Sequence, residues 1–188
     1  MSSDIARSLR RLKPEKHRSP LKPRGWGQLE FLDATRLPPR KLLLDTTVYI
    51  DELQGRLPRS AEIALRASEL WHSAVTEAEL SALAGLLDPR HPETAKAVKQ
   101  VAAVLGRRPQ HRILAPDTEV WREAGILAGT LARLQGYGKG ERRRVLSDAL
   151  ILLSATKNGC TVLTRNVEDF DLLMQVATFG KIVFYARE

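Results

Sequence analysis

Two kinds of apolar run alternate along the chain from Lys41 onward. Short unbroken runs read as buried strands, and longer runs with a three-to-four residue period read as amphipathic helices. Residues 41 to 45, an apolar run over Leu42 to Leu44 that stops on Asp45, predict a first strand. Pro58 and Ser60 open a helix expected to reach about Trp71, and residues 73 to 75 give a short second strand. Thr76 and Glu79 have the spacing of a capping box for the next helix. A further helix follows His91-Pro92, with Val98, Val101, Ala102 and Leu105 on one face. Ile113 and Leu114 suggest a third strand before Pro116, and Thr118 to Leu134 a long amphipathic helix. The glycine-rich segment Gly136 to Gly140 separates it from a core helix over Val145 to Ala155. Residues 161 to 164 and 181 to 185 predict strands four and five around one short helix. Strands alternating with helices imply an α/β fold with a mostly parallel sheet of about five strands, covered on both faces.

The first forty residues do not share this pattern. Pro14, Pro20, Pro23, Pro38 and Pro39 interrupt a stretch without a clean helical or alternating period. Through Lys41 there are 11 Lys+Arg against 4 Asp+Glu, so a net +7 of the chain's +8 lies there. Residues 1–40 therefore read as a basic arm and 41–188 as the folded domain. The arm suits an electrostatic guide for nucleic acid, and equally a solvated tail or a strap clasping an oligomer. Trp26 and Phe31 suggest that part of it docks on the body.

With 188 residues, 43% of them hydrophobic, the chain can bury a core without staples. The single cysteine, Cys160, falls in a predicted strand and has no internal partner, which points to a reducing compartment. No apolar stretch approaches the roughly 18 residues of a bilayer span, and no signal-peptide apolar region opens the chain. A cytoplasmic protein is the expectation.

Four carboxylates stand where packing alone disfavours them. Asp45 stops the first apolar run, within LLLDTTVYID, and Glu79 follows the second, within HSAVTEAEL. Asp148 interrupts VLSDALILLSA, where its helical neighbours are Val145, Ile151, Leu152 and Ala155. An uncompensated acid there would cost several kcal/mol or remain protonated. Asn166 and Asp169 follow strand four. In a parallel sheet the ligand crevice lies beyond the carboxyl ends of the strands, where strand order reverses. That edge is where these acids fall, and together they call for Mg²⁺ or Mn²⁺.

The pieces LLLDTTVYID, SAVTEAEL, SDALILLSATKNG and TVLTRNVEDF, in this order, resemble a PIN-domain ribonuclease, most closely the VapC-type toxins of prokaryotic toxin–antitoxin pairs. The resemblance covers about residues 41 to 188 and implies a three-layer α/β/α fold. It implies Mg²⁺- or Mn²⁺-dependent hydrolysis of RNA phosphodiesters, with Asp45, Glu79, Asp148 and Asp169 as catalytic acids. Asp45, Glu79, Asp148, Asn166 and Asp169 are the implied metal ligands. The family often carries an acid where this chain has Asn166, so Asp169 replaces or supplements that position. Thr46 and Thr164 match hydroxyl positions that orient ligands or a water. A cognate antitoxin and a homodimer are the implied protein partners, and the apolar residues Val120, Leu127, Leu131 and Leu134 offer a surface for the dimer. The basic arm departs from the family pattern, since such toxins begin almost at the first strand.

Each acid also has a plainer reading. Asp45 suits a turn cap, Glu79 a capping box, Asp148 a buried partner of Arg142, Arg143 or Arg144, and Asp169 a solvated helix start. Glu77 competes with Glu79. No histidine, cysteine or serine is set beside a base as a nucleophile, so water is the expected attacking group. A haloacid-dehalogenase-like phosphatase needs a second acid where Thr47 stands, and a phosphoacceptor receiver needs a lysine after a late strand. The remaining alternative is a non-catalytic PIN-like scaffold that binds RNA or a protein.

Overall fold

The computed structural model describes residues 4–186. Five strands form one parallel sheet: β1 (Lys41–Leu44), β2 (Glu69–Ser73), β3 (Ile113–Leu114), β4 (Thr161–Thr164) and β5 (Ile182–Phe184). Their spatial order is β3-β2-β1-β4-β5. The chain leaves β1 to one side and later returns to its other side at β4, so strand order reverses between those two strands. Strand alternation divides the core. Leu43 and Val162 pack with Leu127, Leu131, Ile151 and Phe170 on one face. Leu42, Leu44 and Leu163 pack with Val48, Ala64, Leu80 and Val101 on the other. The result is the three-layer α/β/α arrangement expected from the alternation of elements.

The helices are α1 (Asp4–Leu12), α2 (Thr46–Leu53), α3 (Arg59–Ala67), α4 (Ala74–Leu86), α5 (Thr94–Gly106), α6 (Thr118–Gln135), α7 (Lys139–Lys157) and α8 (Val167–Val176). Several bounds differ from expectation. The helix after Pro58 stops at Ala67, because Leu70 and Trp71 join β2 in register with Leu42 and Leu43. Ser73 to Val75 is accordingly not the second strand: Ser73 ends β2 and caps α4, its hydroxyl accepting from the Val75 amide at 3.1 Å. The expected Thr76/Glu79 capping box does not form, and Thr76 donates instead to the Leu44 carbonyl at 3.5 Å. Gly136, left-handed at φ 69°, closes α6, but Lys139 and Gly140 already belong to α7, so the glycine-rich connection is shorter than its composition suggests. The short helix α2 has no counterpart in the sequence reading. Its first turn carries β-branched threonines, and the Asp45 cap rather than propensity starts it.

Residues before β1 pack on the body over most of their length. Helix α1 lies on α6, burying Leu12 to 1% exposure, and Arg11 donates to the buried Glu123 at 2.8 Å. Farther on, the Arg24 backbone amide and Nε donate to the buried Asp171 at 2.8 and 2.5 Å. Phe31 then forms a parallel bridge with Phe184: the Phe184 amide donates to the Glu30 carbonyl, and the Leu32 amide to the Phe184 carbonyl. The segment read as having no helical period therefore contains α1, which lies on α6 and buries Ser8 and Leu12 while Ile5 and Leu9 stay exposed.

That packing also uses the surface assigned to a dimer. Val120, Leu127, Leu131 and Leu134 are 0–6% exposed within the single chain. They supply core to α6, not spare apolar surface.

Candidate functional site

Asp45 is the last residue before α2, and its carboxylate is placed by the cap it makes. Its Oδ2 accepts from the Thr47 amide at 3.3 Å, the Thr47 hydroxyl at 2.7 Å and the Thr164 hydroxyl at 2.7 Å. Oδ1 has no hydrogen bond among the described residues. A carboxylate 3% exposed with one oxygen triply donated to and the other unused is held rigidly with acceptor capacity to spare. Thr164 ends β4, so the two central strands meet through this bond. The plain reading of Asp45 as a cap and the reading of it as a site residue are thus compatible.

Glu79 reaches the same edge from the second turn of α4, where Thr46 donates its hydroxyl to Oε2. Glu77, the competing acid, is drawn away toward Arg108, 3.5 Å from it. The Thr46 contact with Glu79 therefore distinguishes the two.

Asp148 sits at the middle of α7, not near its beginning, and is 6% exposed. Its one hydrogen bond among the described residues comes from Asn166 Nδ2 to Oδ2, at 3.4 Å. Burial, then the charges of Asp45, Asp169 and Glu79, hold its carboxyl well above the usual range, with Arg144 opposing them. No arginine among the described residues bonds it directly: Arg144 Nε instead lies 3.2 Å from Asp169. Asp169, in the first turn of α8 and 6% exposed, receives Asn166 Nδ2 at 2.9 Å, while its amide donates to Asn166 Oδ1 at 3.3 Å. Asn166 is therefore both the helix cap and a bridge between two acids. Asp169 is a buried, partnered group and not a solvated helix start.

The four acids and Asn166 converge on the carboxyl ends of β1 and β4, where strand order reverses. Among the described residues no three Asp, Glu, His or Cys side chains close tightly enough to enclose an ion by themselves. The donor set fits a hard divalent cation that retains several waters, as Mg²⁺ does, better than a fully caged one. The observation favouring a cation is Asp148, a nearly buried carboxylate with one long hydrogen bond and three acids around it. Asp45, Glu79 and Asp148 would hold it. Asp169 is partly neutralised by Arg144.

Two groups escaped the sequence reading of this site. Thr47, considered only as a missing phosphatase acid, holds Asp45 Oδ2 and also accepts from the Arg165 amide at 3.1 Å. Asp51, fully buried, accepts from Arg165 Nε at 2.7 Å and from the Tyr185 hydroxyl at 2.9 Å, tying α2 to the segments after β4 and β5. The only signal for Asp51 was an acid closing the otherwise apolar turn VYID. Nothing in spacing could have paired it with Arg165 or Tyr185.

Comparison with known proteins bears on the fold and the family. No curated protein matches the chain significantly. Among solved structures, a chain of VapBC2 from Rickettsia felis bound to a promoter DNA fragment is similar, with a TM-score of 0.53 and 14% identity. The match covers 78% of this chain and 98% of that one. DNA-bound VapBC from Salmonella typhimurium gives a TM-score of 0.53 at 22% identity, covering 77% and 97%. VapBC-1 from nontypeable Haemophilus influenzae gives 0.52 at 20%, covering 78% and 97%. These likenesses establish the shared fold. The PIN domain family matches residues 42–172, from the second residue of β1 into α8, and takes in every acid of the site. By that match the chain belongs to the PIN domain family.

Proposed function

We propose that the protein is a Mg²⁺- or Mn²⁺-dependent endoribonuclease that hydrolyses RNA phosphodiesters at the edge formed by β1 and β4. PIN domains are typically nucleases. The observation that carries the reading for this chain is Asp148, buried beside three other acids with almost no hydrogen-bond compensation.

In this reading Asp45, Glu79 and Asp148 are the principal ligands, with Asn166 and Asp169 completing the outer side. A cation held there would supply the acidity of a bound water and the positive charge that offsets what develops on the phosphate oxygens. Thr47 and Thr164 fix Asp45, so its unused Oδ1 keeps one position. Asn166 holds Asp148 and Asp169 in a common orientation. Glu79 is the least buried of the four acids, and its contact with Thr46 lets it orient the attacking water and receive its proton. Arg144 and Arg165 flank the crevice and would take phosphate oxygens with the guanidinium donors their ion pairs leave over. Water attack leaves 5′-phosphate and 3′-hydroxyl ends.

The same proposal makes the protein the toxin of a toxin–antitoxin pair. It rests on the resemblance and on likeness to chains from three VapBC structures, and it includes a cognate antitoxin and a homodimer as partners. A non-catalytic PIN-like scaffold is the second reading, favoured by one observation: Arg144 already neutralises Asp169. Incubating single-stranded RNA with wild type, Asp45→Asn and Asp148→Asn, with Mg²⁺ or with chelator, tests both. Nuclease function requires cleavage by wild type that both substitutions and the chelator abolish. Equal cleavage by the folded variants, or none by any protein, leaves only the scaffold.

A further inference from the structure

The residues before β1 bring an aromatic side chain to the proposed nuclease crevice. Trp26 is 65% exposed, against 50% for Trp121. Exposure alone would say little, but this indole is held. One face stacks on Phe31, with centroids 4.8 Å apart and planes 2° from parallel. Phe31 is fixed in turn by its bridge to Phe184 at the edge of the sheet. Two residues before Trp26, Arg24 is locked to buried Asp171 by two hydrogen bonds. The single turn between them is closed by the Gln28 amide on the Gly25 carbonyl at 2.8 Å.

Trp26 lines a cavity of about 840 Å³ together with Arg24, Arg144, Arg165, Asn166 and Asp169. Asn166 and Asp169 also belong to the acidic site, so cavity and crevice are continuous. Its volume lies in the range that takes a small-molecule or nucleotide-sized group. The three arginine side chains are 36%, 59% and 31% exposed, and each spends only part of its donor fork on an acid. A flat aromatic face and cationic forks, in a cavity that shares Asn166 and Asp169 with the proposed nuclease site, match one kind of occupant. Single-stranded nucleic acid presents an unstacked base beside its phosphates, and aromatic platforms take any base because every base has a π-face. An apolar peptide would have no use for the three arginines.

We propose that Trp26 is the stacking platform for an unpaired base of single-stranded RNA flanking the cleaved phosphodiester, with Arg24, Arg144 and Arg165 taking the adjoining phosphates. The proposal rests on the nuclease reading above and gives the basic arm a specific role there: it completes the substrate site, beyond raising the local positive charge. Trp26 lies outside residues 42–172, so the PIN domain match does not supply this subsite.

Titration of a short single-stranded oligouridylate into full-length protein, with chelator present to prevent cleavage, reads the platform directly. Tryptophan emission should fall on binding. The chain has three tryptophans, so Trp26→Phe identifies the emitter: it should abolish the quench while changing Kd less than about threefold. Trp26→Ala should raise Kd roughly 5- to 100-fold, the range of a lost base–aromatic stack. The corresponding duplex should give no quench, because its bases are already stacked. An unchanged Kd in Trp26→Ala, or a quench that survives in Trp26→Phe, overturns the platform. If Asp45→Asn still abolishes Mg²⁺-dependent cleavage in that case, the nuclease reading stands without it. Absence of both RNA binding and cleavage by wild type overturns the two together.

Discussion

Replacing Asp148 with Asn should make the metal-free protein more stable while removing its response to Mg²⁺. Asn is nearly isosteric and keeps an oxygen for the Asn166 amide, so the change removes charge with little loss of packing. The charge it removes is buried and opposed by Asp45, Asp169 and Glu79. One close carboxylate neighbour at an effective dielectric near 20 costs on the order of 1–3 kcal/mol. The total has a ceiling, because the carboxyl can protonate: from an ordinary value of 3.8 that costs about 4 kcal/mol at pH 7. A gain of about 1–3 kcal/mol corresponds to a Tm increase of roughly 2–10 °C for a chain of this size. The sign with pH follows from the raised carboxyl. The folded state holds this proton more tightly than the unfolded one, so its contribution to stability is fully present below about pH 4 and is lost as pH rises through the elevated folded value. Calorimetry in chelator across that range should show wild type losing this contribution and Asp148→Asn lacking the loss. Added Mg²⁺ should then raise the Tm of wild type and leave the variant nearly unmoved. An Asp148→Asn protein no more stable than wild type in chelator, or one stabilised equally by Mg²⁺, would refute the reasoning.

Further outcomes follow from neighbouring contacts. His72, buried and 2.5 Å from the Tyr49 hydroxyl, is held down to about 4 by burial and then by Arg108 and Arg112. Because the unfolded chain protonates first, its contribution is complete above pH 6.5 and lost as pH falls toward 4, by at most about 3 kcal/mol; urea titrations at both ends should show that slope, and His72→Asn should flatten it. Asp51→Ala should cost about 2–5 kcal/mol by stranding Arg165 and Tyr185, whereas a loss under 1 kcal/mol in denaturant unfolding would show that the network is slack. Leu12→Ala should cost about 2–4 kcal/mol, and deletion of residues 1–38 should lower Tm as well as RNA affinity, since α1 and Phe31 belong to the packed structure. An unchanged Tm after that deletion would contradict the packing, and an unchanged salt slope of RNA binding would remove the arm from substrate capture.

The layered architecture was legible because hydrophobic period reflects burial directly. Leu42–Leu44 and Val162–Leu163 had to lie inside a doubly covered sheet, and parallel strands joined by helices place their carboxyl ends along one edge. The acids Asp45, Glu79 and Asp148 were legible for the complementary reason: they stand where apolar neighbours make a charge costly. Tertiary structure decided what local pattern does not encode. Helix α1 is a weak signal in a proline-broken basic segment, and it is covered by a face of α6 more than a hundred residues away in sequence. The strand at residues 69–73 took its bounds from pairing with β1, overriding the helical reading up to Trp71. Asp45 became a rigid acceptor through Thr164, Glu79 was separated from Glu77 by Thr46, and Asn166 joined Asp148 to Asp169. Each of these partnerships includes a hydrogen bond between segments that the sheet brings together. Sequence spacing carries hydrophobic burial, which is periodic and additive; it does not carry the direction of a particular hydroxyl or amide, which exists only once the strands have chosen their neighbours.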